Sequence, residues 1–477
     1  QSTDVGSTIT SAGNLTIATT GKGAGITATA ANLQSGGTTT IAATGDVRFN
    51  EGRQTQSMQS AVSYQEDKWY GSKDIKQTHE YSTDTAVLNA ITGNKVHISS
   101  QNANVSLYGT NITANEQASI SAKQGDVTIE SVKDRFYQNT IQTTQNFYKN
   151  TGSVDGSYQE TLNQTGIHAG SINIDGKSAS VNAVKLQATD GSLIIGNAHL
   201  ATNPDGTLKL DDNGKPIVIS GDMEHLTLGT VDLHSETWQE NSKSYRGFAK
   251  DIMKGVGVVT GALGFDGITL AKSHRDHTKT ETQTVSELNS NHIQVGAQTV
   301  TASGTHFDAG TDGFVAVLGD DVLLTTAKHS QTNTQTDTRQ TIAGEGIKFG
   351  KDHLQLGAVV YTDTTDTQTT QTTTHDGVSI RGNSAAVLGN MSSGSLTTQA
   401  TLFDLDKNDG TLLVGAKNTL LDGAINQVAH TQNNETDTTR IGVTVHHAAV
   451  DTAVAAENVK EAIQSANHAR KALENAQ

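Results

Sequence analysis

Short apolar pairs recur along this chain at a step of about 22 residues, and so short a step leaves room for one turn of a β-solenoid rather than for a globular domain. Between Asn94 and Glu130 the pairs are Val96/Ile98, Val105/Leu107, Ala118/Ile120 and Val127/Ile129, separated by Asn, Gly and Ser. Alternation of this kind turns one row of side chains inward. Val96 to Ala118 and Val105 to Val127 are each one step, so two strands per turn recur in phase. The same pattern links Leu15/Ile17 to Thr39/Ile41, Ile26/Ala28 to Val47/Phe49, Ile172/Ile174 to Leu193/Ile195, and Ile293/Val295 to Val315/Val317. The fold class predicted is all-β: a right-handed parallel β-helix (β-solenoid) with projecting polar β-hairpins and a short C-terminal α-helix.

Composition supports a narrow core repeated along a rod. Hydrophobic residues make up 34% and aromatics 4% of the 477 positions, too little to fill several wide cores. Charged residues are only 17%, and the polar remainder is dominated by Thr, Asn, Gln and Ser, which suit strands and turns better than a disordered chain. Only 2 prolines occur, as expected where each rung needs its backbone N–H groups for the ladder.

A longer period lies over the rungs. Thr/Gln/Asn-rich tracts run from Arg53 to Gln59, Arg135 to Gln145, His234 to Ser244, His329 to Thr341 and His430 to Thr439, roughly 80 to 100 residues apart. Second tracts, such as Lys76 to Thr85, Thr278 to Thr284 and Thr362 to His375, lead into the next rung pair. We read the tracts as facing strands of polar hairpins that leave the rod and return; a Thr/Gln linker without structure is the competing reading. The chain then divides into rungs over 1–52, a first repeat unit of hairpin then rungs over 53–130, a second over 131–231, a third over 232–327, a fourth over 328–428, a final polar tract over 429–447 and a helical tail or connector over 448–477. The second unit carries an insertion, 201–219, that holds both prolines and two turn signatures, Asn203-Pro204-Asp205-Gly206 and Asp212-Asn213-Gly214. The tail is predicted as a helix because Val454, Val459, Ile463, Ala466, Ala469 and Leu473 recur near helical spacing.

Several function classes are disfavoured. A net charge of −16 argues against a phosphate-tracking nucleic-acid surface, so no nucleic-acid partner is expected. With 0 cysteines there are no disulfides, thiolate metal sites or Cys nucleophiles. The start Gln1-Ser2-Thr3 lacks an initiator Met and a signal sequence, so the chain reads as an excised or mature segment. Among 17 His residues, His274-Arg275-Asp276-His277 places two imidazoles and a carboxylate close together, but at an i, i+3 spacing in a stretch read as a polar loop rather than the i, i+4 of a zinc helix. Adjacent His446 and His447 would face opposite ways on a strand. Asp126, Asp320 and Asp321 could serve a β-helix carbohydrate enzyme, but each lies at a Gly-containing corner where Asp is ordinary turn chemistry. The run Gly255 to Phe265 lacks the Gly-Lys-Ser/Thr ending of a phosphate loop and is too short to span a bilayer as a helix; it is read as an apolar hairpin tip or a membrane-touching loop. No catalytic, cofactor-binding or metal-binding residue is assigned.

Gly13-Asn14-Leu15-Thr16-Ile17, Gly125-Asp126-Val127-Thr128-Ile129 and the Thr/Gln tracts followed by new rung pairs resemble filamentous haemagglutinin repeats of two-partner-secretion exoproteins. More narrowly, long units mixing rungs with polar tracts resemble the second haemagglutinin-repeat region of contact-dependent growth inhibition effectors of the CdiA type. The resemblance covers nearly all the chain before the tail. It implies a non-enzymatic stick protein of a Gram-negative bacterium, exported through an outer-membrane two-partner-secretion transporter. Such a protein is secreted or displayed on the cell surface, with a stage in the periplasm before export. It also implies association with a target cell's outer membrane or its surface proteins to help a C-terminal toxin across, with self-association as a further property. The secretion domain, the pretoxin segment with its Val-Glu-Asn-Asn motif and the toxin are absent from this sequence. An adhesin shaft that binds a surface glycan or host protein is the second expectation, and a β-helical carbohydrate-active enzyme the third.

Overall fold

A computed structural model describes residues 1–69, 71–204, 208–245, 265–345, 348–349, 353–406 and 410–446. The predicted tail helix over 448–477 and the apolar run over 255–264 lie outside the described residues.

The described chain is built from two large sheets and a small two-stranded one in the insertion. One is a parallel sheet of 26 short strands wound into a rod, and its backbone register follows the 22-residue step. Val96 pairs with Ala118, Val105 with Val127, Ile17 with Ile41, Ala28 with Phe49, Ile174 with Ile195, and Val295 with Val317. Each turn holds three strands, however, where the alternation suggested two. The missed column runs Ile9, Leu33, Ile91, Ile112, Ile167, Leu186, Leu288, Phe307, Ile380 and Phe403, one residue from each of 10 successive turns. Its second inward position is small or polar in every turn but the last (Gly93, Ala114, Ala169, Ala188, Ser290, Ala309 and Gly382, against Leu405), which makes this the narrow wall. A strand with one large apolar residue shows no alternation to read. The other two walls stack Ile, Val and Leu almost without interruption; Ile41, Ile120, Ile174, Ile195, Val295, Val317 and Val387 are fully buried.

The rod turns its third corner in two ways. After odd turns a single left-handed residue closes it: Ala30, Gly109, Ala183, Gly304 and Ala400, with φ between 50° and 58°. After even turns the chain instead leaves as a long hairpin arm. We number these long strands β1 (Gly52–Lys68), β2 (Gly71–Val87), β3 (Val132–Asn146), β4 (Lys149–Asn163), β5 (Val231–Tyr245), β6 (Phe265–Thr284), β7 (Ala327–Glu345), β8 (His353–Asp376) and β9 (Gln427–His446).

The hairpins do not project separately. β2 pairs with β3, β4 with β5, β6 with β7 and β8 with β9, all antiparallel, so the hairpins join edge to edge into one continuous sheet in the order β1 to β9. Geometry explains the join. Strands in a sheet lie about 4.8 Å apart, so a pair of rungs rises about 9.6 Å and a two-stranded hairpin is about 9.6 Å wide. One hairpin per two rungs therefore fills the space beside the rod with no gap and no overlap.

Buried polar side chains mark the roots of this arrangement. The Asn89 side chain accepts from the Ala31 N–H at 2.8 Å and donates to the Asn50 carbonyl at 2.9 Å. Ser131 donates to the Ala183 carbonyl at 2.6 Å and accepts from the Thr165 N–H at 2.8 Å, while Ser286 serves the Val184 N–H and the Val181 carbonyl. Each satisfies backbone groups that lose their ladder partner where the chain departs from the rod.

In the second unit, His199–Leu200 pairs antiparallel with Val218–Ile219, with further bridges at Thr202–Leu208 and Leu210–Pro216, so the insertion leaves between the second and third walls of one turn.

A candidate binding surface on the hairpin sheet

The rows of the β1 to β9 sheet that lie nearer the rod are wet on both faces, whereas Ile75, Leu270 and Ile342 farther out are buried, and the register fixes what each face carries. On one face, near the rod, Glu160 anchors an ionic network: Lys133 at 3.1 Å, Arg135 at 3.5 Å, the Tyr158 hydroxyl at 3.0 Å and the His234 N–H at 3.1 Å. Arg135 also reaches Asp84 at 3.0 Å, which ties the first hairpin to the second. Burial pushes the Glu160 carboxyl up, but the Lys133 ammonium, His234 N–H and Tyr158 hydroxyl outweigh it and hold the group below its ordinary value. Further out on this face Trp238 lies over Gly156, where a β-carbon would sit 2.3 Å from its ring, and Tyr137 stacks beside it at 6.1 Å. A glycine in mid-strand is thus covered by a cross-strand aromatic.

The opposite face carries His274. Its Nδ1 lies 2.7 Å from Asp337 and its Nε2 3.0 Å from Asp276, so both ring nitrogens are engaged by carboxylates. The bond to Asp337 raises the imidazole above its ordinary value, with the Asp276 charge adding to it. The stretch read as a polar loop is in fact β6, and on a strand His274 and His277 face opposite ways: His277 meets Glu236 at 3.0 Å on the Trp238 face. The sequence missed this strand because neither face is buried and no apolar alternation marks it. Among the described residues no group of His, Asp and Glu is placed to hold a metal ion. His446 ends β9, and His447 lies outside the described residues.

The three corner aspartates stay apart from any common site. Asp126 aligns with Ser178, His225, Thr299 and Asp321 in one column, which puts Asp126 and Asp321 four turns apart, about 19 Å at strand spacing. Paired carboxylates of glycosidases sit roughly 5 to 9.5 Å apart. Asp320 accepts from Ser220 at 3.2 Å and Asn390 at 3.0 Å, and Asp321 from the Ser395 hydroxyl at 2.6 Å, which is corner chemistry.

The distal end of the sheet differs from its polar waist. At the first two hairpin tips Trp69 is 97% and Phe147 73% exposed, with Tyr148 and Tyr64 about half exposed. In the fourth hairpin the register sets Leu354 against Val445, Leu356 against Val443 and Val359 against Ile441. Apolar residues therefore collect at the edge farthest from the rod, about 50 Å out for a 15-residue arm.

With rungs and arms in place, the first turns can be compared with known proteins. Residues 1–67 match the hemagglutinin repeat family. The matched span holds two turns of the rod and nearly all of β1. A hemagglutinin repeat is a structural repeat of secreted or cell-surface proteins rather than an enzymatic one. Later turns, such as those over 89–130 leading into β3, repeat the geometry of the hemagglutinin-repeat segment. No curated protein and no solved structure matches the chain.

Proposed function

We propose that this chain is the structural and interaction region of a large exported bacterial surface protein, in which the rod sets the pitch and the distal edge of the hairpin sheet meets a target cell's outer membrane. The single observation that carries this reading is the gradient along the sheet, from Thr- and Gln-rich rows at the waist to Trp69, Phe147 and Tyr148 at the tips. Trp and Tyr favour the boundary between headgroups and acyl chains, so the tips can rest at that boundary without carrying the open edges of the sheet into hydrocarbon, where their backbone groups would be unsatisfied. Among the described residues no helix is long and apolar enough to cross a membrane.

In the finer form of the proposal, this contact assists passage of a toxin in contact-dependent growth inhibition, the parent protein reaches the surface through a two-partner-secretion transporter after a periplasmic stage, and copies associate with one another. Flotation with outer-membrane vesicles tests the contact: the triple variant Trp69→Ser, Phe147→Ser, Tyr148→Ser is expected to lose vesicle binding while keeping its strand content. Undiminished binding by that variant would overturn the reading. Within the parent exoprotein, the same variant should lower killing of target cells without lowering surface display. An adhesin shaft is the second reading, favoured by the Thr- and Gln-rich rows of the sheet; it predicts capture by immobilised glycans that survives loss of the tip aromatics.

A further inference from the structure

The sheet register brings together three cations that are far apart in sequence. Lys243 of β5 lies directly opposite Lys272 of β6, and Lys272 directly opposite Arg339 of β7. Directly opposed residues share a face, so the three side chains form one row across three adjacent strands, spanning about 10 Å. Lys149 of β4 stands on the same face one row farther from the rod, opposite Tyr245.

Like charges set opposite one another destabilise a sheet. The Lys243 ammonium lies 5.2 Å from the Tyr245 ring centroid, and Arg339 donates to the Thr269 hydroxyl at 3.0 and 3.2 Å. No described carboxylate forms an ion pair with any of the three. On this face the row next nearer the rod holds Asp337, engaged by His274, and Asp366 opposite it, which accepts from Gln432 at 3.4 Å; Asp276, two rows nearer the rod, is also engaged by His274. In a chain of net charge −16, three adjacent cations without a carboxylate partner are an exception that calls for an anion.

The same place is concave. A cavity of about 550 Å³ lies over the row and is lined, beside the three cations, by Thr144, Thr151, Ser153 and Asn241, with His274 and its partner Asp337 at the side nearer the rod. Hydroxyls flank the row on both sides, Thr151 opposite Lys243 and Thr364 opposite Arg339. A guanidinium fork and two ammonium groups match oxygens that carry more than one negative charge, and the hydroxyls add neutral donors. The row is too short to track a nucleic-acid backbone, and the rows nearer the rod turn acidic.

We propose that this face of the hairpin sheet is a binding site for clustered phosphate groups, such as those of a phosphorylated saccharide or an anionic lipid headgroup. The site does not rest on membrane contact by the tips, because the tip variant leaves Lys243, Lys272 and Arg339 in place.

The test uses the intact chain and inorganic triphosphate, titrated by calorimetry at constant ionic strength. Triphosphate is expected to bind and to raise the unfolding midpoint. Lys272→Gln is expected to weaken binding about tenfold, the order of one charge-assisted contact. Without triphosphate the same variant should melt no lower than the wild type, because it removes a like-charge contact; a merely structural lysine would give the opposite. Lys177→Gln, on the rod beside Glu224, should leave binding unchanged. Two vesicle arms identify the source. Recruitment to phosphatidylcholine vesicles only when they contain phosphatidic acid, competed by triphosphate, supports a lipid headgroup. Triphosphate binding without such recruitment supports a soluble phosphate-bearing ligand. Absence of triphosphate binding, or equal binding by wild type and Lys272→Gln, overturns the proposal.

Discussion

The rod and the hairpin sheet are made from one chain and share one strand spacing, yet they are held by different forces. In the rod, the turns between the first and the last bury Ile, Val and Leu on three walls, and the stacked side chains exclude water from the interior. In the sheet, most rows are Thr, Gln, Asn and charged pairs, with few buried apolar side chains such as Ile75 and Ile342, so stability comes mainly from the backbone ladder and from cross-strand contacts worth roughly 0.2–1 kcal/mol each. An isolated two-stranded hairpin is marginal in water. These hairpins are ordered because the rod delivers each one at the spacing its neighbour needs, which turns a series of edge strands into interior strands. The polar sheet thus borrows its register from the apolar rod and is free to vary its surface.

That dependence predicts an asymmetry between the two regions. Phe307, buried on the narrow wall between Leu288 and Ile380, fills a core with little room to relax. Phe307→Ala should cost about 3–5 kcal/mol and loosen both regions together, read as a fall in the denaturation midpoint with loss of amide protection in β6 and β7 as well as in the rod. Loss confined to the rod would show that the sheet stands alone. Asn89 sits at the joint between the regions, and Asn89→Ala strands the Ala31 N–H and leaves the Asn50 carbonyl with the Ala30 N–H alone, for about 1–3 kcal/mol. Hydrogen exchange at the root of β2 should rise before exchange at its tip.

The smallest effect is confined to the sheet and depends on pH. His274 has a raised folded value, so its contribution is full below the ordinary imidazole range and fades as pH rises through the folded value. Glu160 has a lowered folded value, so its contribution is full above the ordinary carboxylate range and fades as pH falls through the folded value. Protection of β6 and β7 should therefore decline on the alkaline side and that of β3 to β5 on the acid side, so that the sheet as a whole is best protected in mildly acidic solution, between those two losses. His274→Gln should remove the decline on the alkaline side and leave the rod unaffected, as followed by exchange over a pH series.

Much of the rod was legible because inward side chains must be apolar and must repeat at the length of one turn. Pairs such as Val105 with Val127 and Ile293 with Val315 could be placed in register from spacing alone. The narrow wall was not legible, since Ile112 alternates only with Ala114 and Ile167 only with Ala169. β6 was misread around His274 because a strand wet on both faces leaves no periodic mark. The row of Lys243, Lys272 and Arg339 could not be seen in sequence at all: it exists only once β5, β6 and β7 are aligned, and that alignment is set by where the rod releases each hairpin.

The equality between two rungs and one hairpin also governs how such a molecule can change length. Adding a single turn would open a gap one strand wide in the adjoining sheet, and adding a lone hairpin would crowd it by two. Only the complete block of two turns and one hairpin can be duplicated or deleted without a fault, so the lineage can grow or shrink only in whole steps of about 10 Å, like a ladder sold by the rung pair.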